Sequence, residues 1–186
     1  MNLLSIEDIR IGLDKEFLLL EPDLDGLRLI PSVLSEAELS RCETQLEVKF
    51  PFGFREIISN YDFGRLTIGT VMFSNKGSYL EELLFMNGSV VWWNGEKERP
   101  RDFLMIATSD PYIFLLNVKS GKVYAFDRET GHDSKFCVAV DFTRFFQGIG
   151  TVFLMRGKEG SDMVLGEKVS AEVGSDYDLF WISLAS

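Results

Sequence analysis

The sequence predicts an α+β domain in which helices flank a mixed or antiparallel sheet organised around a central hairpin. Three observations carry this reading. Residues 102–127, DFLMIATSDPYIFLLNVKSGKVYAFD, alternate short apolar runs with breaks rich in Ser, Asp, Pro and Gly, the pattern of consecutive strands. On either side, apolar residues recur at i, i+3, i+4 and i+7, the spacing of a helical face. With 186 residues, 46% of them hydrophobic, the chain suits a single domain. A domain of this size buries about 70% of the surface its unfolded form exposes.

In order along the chain, Ser5 and Asp8 cap a short first helix through Arg10. Phe17-Leu18-Leu19-Leu20 is an apolar run of no definite type, and residues 21–26 form an acidic turn that Pro22 and Gly26 keep irregular. Residues 1–32 therefore read as an N-terminal extension docked on a core. Ser35-Glu36-Ala37-Glu38 is a capping box, in which the Ser35 hydroxyl accepts from the Glu38 amide and the Glu38 carboxylate from the Ser35 amide. Leu39, Cys42 and Leu46 continue on one stripe, and Glu43 beside it reads as a structural carboxylate bonded to a nearby backbone amide. Pro51 ends that helix and opens another, with Phe54, Ile57, Ile58 and Tyr61 on one face and Gly64 as its close.

Residues 67–73 read as a strand. A second capping box, Ser78-Tyr79-Leu80-Glu81, leads into Leu80, Leu83, Leu84 and Val91; Gly88 interrupts this helix, and Trp92 and Trp93 fall on its last turn or just beyond. A polar loop over residues 94–100 delivers the chain to strands at 103–107, 112–118 and 123–126, the last two joined as a hairpin. Ile113, Phe114, Leu115 and Leu116 are consecutive, which places the middle strand inside the sheet with both faces covered. Residues 136–140 are a further strand, and Asp141 caps a helix carrying Phe142, Phe145, Phe146 and Ile149 that Gly148 and Gly150 weaken. From Arg156 the chain is polar and acidic until residues 179–184, a terminal helix packed back on the body; residues 148–186 form a C-terminal extension.

Charge is unevenly spread. Residues 1–50 hold 11 acids and 5 bases, residues 51–157 hold 12 of each, and residues 158–186 hold 6 acids and 2 bases. The net charge of −10 therefore sits in the two terminal parts. Negative charge there serves solubility or presents an acidic surface to a basic partner. Direct nucleic-acid binding is not expected, since no basic patch is concentrated to meet phosphate. No run approaches the ~18 apolar residues of a membrane span, and a cytoplasmic protein is expected. Cys42 and Cys137 read as small core residues. One histidine and two distant cysteines do not make a zinc site. His132 reads as a solvated loop residue, and no nucleophile motif such as G-x-S-x-G is present. Neither a catalytic residue, a metal nor a cofactor is expected.

The order of these pieces resembles a family. SVLSEAELSRCETQLEVKFPFGFREIISNYDFG is similar to the opening of the SUKH superfamily, the group of fungal cell-wall-synthesis regulators and bacterial toxin-immunity proteins. The matching positions are Ser35, Glu43, Leu46, Pro51, Phe54 and Gly64. LMIATSDPYIFLLNVKSGKVYAFD and VAVDFTRFF are similar to its later strands and closing helix, so that the likeness covers residues 33–147. Asp62-Phe63-Gly64 stands where the family has Gly-Gly. The resemblance implies a non-enzymatic protein-binding domain. Its implied role is an immunity protein that occludes a bacterial polymorphic toxin, a nuclease among the options; the alternative is a regulatory adaptor like the fungal members. A basic toxin fits the charge map, and the residues expected to face it are Asp23, Asp25, Glu36, Glu47, Asp176 and Asp178, with Trp92 or Trp93 as an aromatic anchor.

Overall fold

A computed structural model describes every residue except 22, 76, 89–98 and 159. Among the described residues, six strands make one sheet in the order of the chain: β1 (Thr67–Ile68), β2 (Val71–Met72), β3 (Phe103–Ser109), β4 (Tyr112–Asn117), β5 (Val123–Asp127) and β6 (Phe136–Ala139). Every pairing is antiparallel. The helices are α1 (Ile6–Phe17), α2 (Glu36–Leu46), α3 (Phe52–Asn60), α4 (Tyr79–Gly88), α5 (Phe142–Met155), α6 (Asp162–Val173) and α7 (Asp178–Ala185). This is the expected α+β class, with the sheet resolved as antiparallel.

The residues that predict the elements also make their contacts. Ser5 and Ser35 both form complete capping boxes, with Asp8 and Glu38. The Asp141 carboxylate accepts from the Arg144 amide at 2.7 Å. All four residues from Ile113 to Leu116 are at most 1% exposed, as a strand covered on both faces requires. The core is notably aromatic. Phe54, Phe63, Phe73 and Phe142 interlock between α3, α5 and the β1–β2 hairpin with ring centroids 4.8–6.3 Å apart. Glu43 is buried and accepts from the Phe50 amide at 2.8 Å, which satisfies a backbone donor in the link between α2 and α3.

Several expectations are corrected. The first helix does not end at Arg10 but runs to Phe17, because Ile9 and Leu13 bury a stripe against α5. α2 stops at Leu46, where Glu47 takes a left-handed conformation (φ 55°), well before Pro51. Residues 67–73 are two short strands joined at Gly69, whose positive φ of 61° suits the tight turn. Residues 162–173, read as polar, are helix α6, which buries Leu165, Val169 and Val173. His132 is buried in a 3-10 turn packed on β5, not solvated.

Gly148 and Gly150 do not weaken α5, which continues through both to Met155. They are notches where the terminal segments dock. A Cβ on Gly148 would stand 2.6 Å from Trp181 of α7, and one on Gly150 2.5 Å from Ile9 of α1. Helix propensity lost at a glycine is offset here by close packing.

The sheet has its edges covered. Along β6, the Val140 amide donates to Val173 O at 2.9 Å, the Asp176 amide to Cys137 O at 3.0 Å, and Trp181 Nε1 to Val138 O at 3.0 Å. On the other side, the Thr67 amide of β1 donates to Gly26 O at 2.8 Å. Where β2 is too short to pair with the start of β3, the Asn87 side chain stands in for a strand: Nδ2 donates to Met105 O at 2.9 Å and Oδ1 accepts from the Met105 amide at 2.8 Å. Edges met in this way are less open to another chain's strand.

Candidate protein-recognition surfaces

The acids expected to meet a partner fall in three places. Asp23 and Asp25 are exposed in the turn between α1 and α2, which lies beside β1 through the Thr67 amide and Gly26 O. Glu36 and Glu47 flank α2, at opposite ends of a helix about 16 Å long. Asp176 and Asp178 lie at the α6–α7 junction, beside the opposite sheet edge, β6. Trp92 and Trp93 lie outside the described residues. The third tryptophan, Trp181, is fully buried.

Half of these carboxylates already have intramolecular work. Asp25 is ion-paired with Arg65. Glu36 takes a two-pronged contact from Arg55, at 2.9 and 2.7 Å, and those hydrogen bonds hold its pKa below the ordinary carboxylate value. Asp178 accepts from the Ser170 hydroxyl at 2.6 Å, tying α7 to α6. Glu47 lies near Arg99, whose guanidinium donates to Phe103 O at 2.8 Å and to Leu46 O, bridging the end of α2 to β3; burial lowers the Arg99 pKa and Glu47 partly restores it.

Sequence reasoning missed the apolar part of this surface. The run that begins at Phe17 divides: Phe17 stacks on Phe153 of α5, with centroids 5.9 Å apart, while Leu18, Leu19 and Leu20 turn outward in a single 3-10 turn. Leu24 is exposed beside them, its amide donating to Leu20 O at 3.0 Å. Leu19 is 93% exposed. The sequence signal was present, an aperiodic apolar run followed at once by acids, but such a run equally suits a buried segment.

An open pocket of about 400 Å³ adjoins this ridge, lined by Glu21, Asp25, Arg28, Ile30, Asp62 and Arg65 among others. Its arginines are tethered: Arg28 Nε donates to Asp14 at 2.8 Å and its Nη1 to Glu21 at 2.6 Å. Cys42 and Cys137 are both buried with free thiols; burial pushes the Cys42 thiol up to about 11, where it is a poor nucleophile. Among the described residues no group of three or more His, Cys, Asp or Glu side chains is placed to hold a metal ion. No described helix is long and apolar enough to cross a membrane.

Compared with known proteins, residues 33–148 match the family model described as SMI1 / KNR4 family (SUKH-1). No curated protein matches the chain.

Proposed function

The chain belongs to the SMI1 / KNR4 family (SUKH-1), and from that premise we propose that it is a non-enzymatic protein-binding domain, an immunity protein that neutralises a bacterial polymorphic toxin by covering it. The observation that carries this reading is where the charge lies. Outside the matched stretch, residues 1–32 and 149–186 hold 13 acids against 6 bases, a net of −7 out of −10. The acidic surface is thus a property of what this chain adds to the family domain. A nuclease must attract phosphate and is basic, so complementary fields steer it onto an acidic inhibitor and can raise association to about 10⁸ M⁻¹s⁻¹ at low salt.

The test uses the toxin domain encoded beside this chain's gene. Tight binding is expected, with an association rate that falls steeply from about 50 to 500 mM salt as the Debye length shortens. An unchanged rate removes the steering argument. A solitary gene without a toxin neighbour favours a regulatory adaptor instead, and turnover of any small-molecule substrate overturns the non-enzymatic reading.

A further inference from the structure

The N-terminal segment presents an exposed apolar ridge with an acidic surround. Leu18, Leu19, Leu20 and Leu24 are 43–93% exposed; the first three form one 3-10 turn, and the Leu24 amide donates to Leu20 O. Ile11 on α1, about two helical turns before Leu18, is also exposed. Clustered exposed apolar residues with a polar rim mark interaction sites, whereas scattered ones are ordinary.

The rim decides the kind of partner. Residues 7–25 supply seven carboxylates and Asp62 an eighth at the pocket wall, facing Arg10, Lys15, Arg28, Arg65 and Lys158. Even with every one of these cations counted, this segment and its partners keep a net charge of −3. That excess disfavours a second copy of this chain on the ridge, since like charges would meet, and it disfavours an anionic lipid surface for the same reason.

We propose that the ridge of Leu18, Leu19, Leu20 and Leu24, with the pocket walled by Glu21, Asp25 and Asp62, is the docking surface for a protein partner that presents apolar side chains beside Lys or Arg. This rests on the reading of the chain as a toxin-binding domain and names the face that does the binding. The leucines supply the desolvated centre, while Glu21 and Asp25, already paired with Arg28 and Arg65, act through the net negative field and not as free ligands. The acids beside Leu179, at the α6–α7 junction, are then bystanders.

The experiment uses the full chain and the toxin domain encoded by the adjacent gene, made inactive by substitution of its own catalytic residue. Because Cys42 and Cys137 are buried, Leu19→Cys introduces a thiol that maleimide labels selectively. Toxin should slow that labelling about tenfold or more, and leave labelling of Leu179→Cys nearly unchanged. Leu19→Asp should weaken toxin binding about tenfold or more while its melting temperature matches that of the parent chain. Protection at Leu179→Cys instead, or equal toxin binding by Leu19→Asp, overturns this assignment and leaves the immunity reading intact. Protection at Leu19→Cys that grows with the chain's own concentration, without toxin, assigns the ridge to self-association and also overturns it. Failure of the parent chain to bind the toxin overturns the immunity reading and this inference together.

Discussion

Residues 1–32 and the α6–α7 pair both pack on α5 and both cover a sheet edge, yet they hold on by different physics. The C-terminal pair is driven into the core. Phe180 and Trp181 are buried against Phe114 and Phe145, and the indole donates to a β6 carbonyl. The N-terminal segment buries Ile9 and Leu13 and relies further on charge, Arg28 bridging Asp14 and Glu21 within the segment and Arg65 of the body meeting Asp25. Burial at one end is worth several kcal/mol per aromatic; partly exposed ion pairs are worth about 1 kcal/mol or less. One extension is therefore structure throughout, while the other keeps apolar surface in reserve.

Substitutions can break or sharpen that contrast. Trp181→Ala should be the most damaging, costing about 3–5 kcal/mol in urea unfolding, because it removes a fully buried ring and orphans Val138 O; a loss below that of the N-terminal changes would erase the contrast. Gly166→Ala comes next. Its Cβ would stand 2.5 Å from the backbone Cα of Ile182, which has no rotamer to yield, so a loss of about 1–3 kcal/mol is expected. Gly12→Ala on α1 is the matched case: its Cβ meets only the end of the Leu154 side chain, and a gain in helix propensity of about 0.5–1 kcal/mol opposes the clash, for a net change near zero. Arg28→Met should cost about 1 kcal/mol and the loss should shrink in high salt.

A further effect concerns pH. Hydrogen bonds from the Ser35 hydroxyl and amide hold the Glu38 carboxyl below its ordinary value of 4.5. Its stabilisation of α2 is therefore complete above that value and fades as pH falls through the lowered one. Glu38→Gln should flatten this part of the stability profile below about pH 4.5, a change readable by thermal melts across the acid range.

The contrast between the extensions also explains what could be read from the chain alone. Capping boxes at Ser35 and Ser5, the Asp141 cap and the role of Glu43 depend on neighbours within a few residues, and all were legible. So were β3, β4 and β5, bounded by their own turns. Gly148 and Gly150 misled because their purpose, to admit Trp181 and Ile9, comes from partners more than 30 residues away in sequence. α6 was obscured because Leu165, Val169 and Val173 form a narrow stripe among acids. The expected partner acids were located by charge density alone, which does not register that Asp25, Glu36 and Asp178 are engaged at home, nor that the leucines beside Asp23 face outward.

The family match ends at residue 148, in the middle of α5. A polypeptide trimmed to residues 33–148 would lose half that helix, the indole that seals β6, and the amide-to-carbonyl bonds beyond Val140. Phe114 and Phe145 would then face water, and a bare strand margin would invite intermolecular pairing. The evolutionary module is thus smaller than the cooperative unit, and expression boundaries drawn at the former should yield aggregates where the intact polypeptide stays monodisperse.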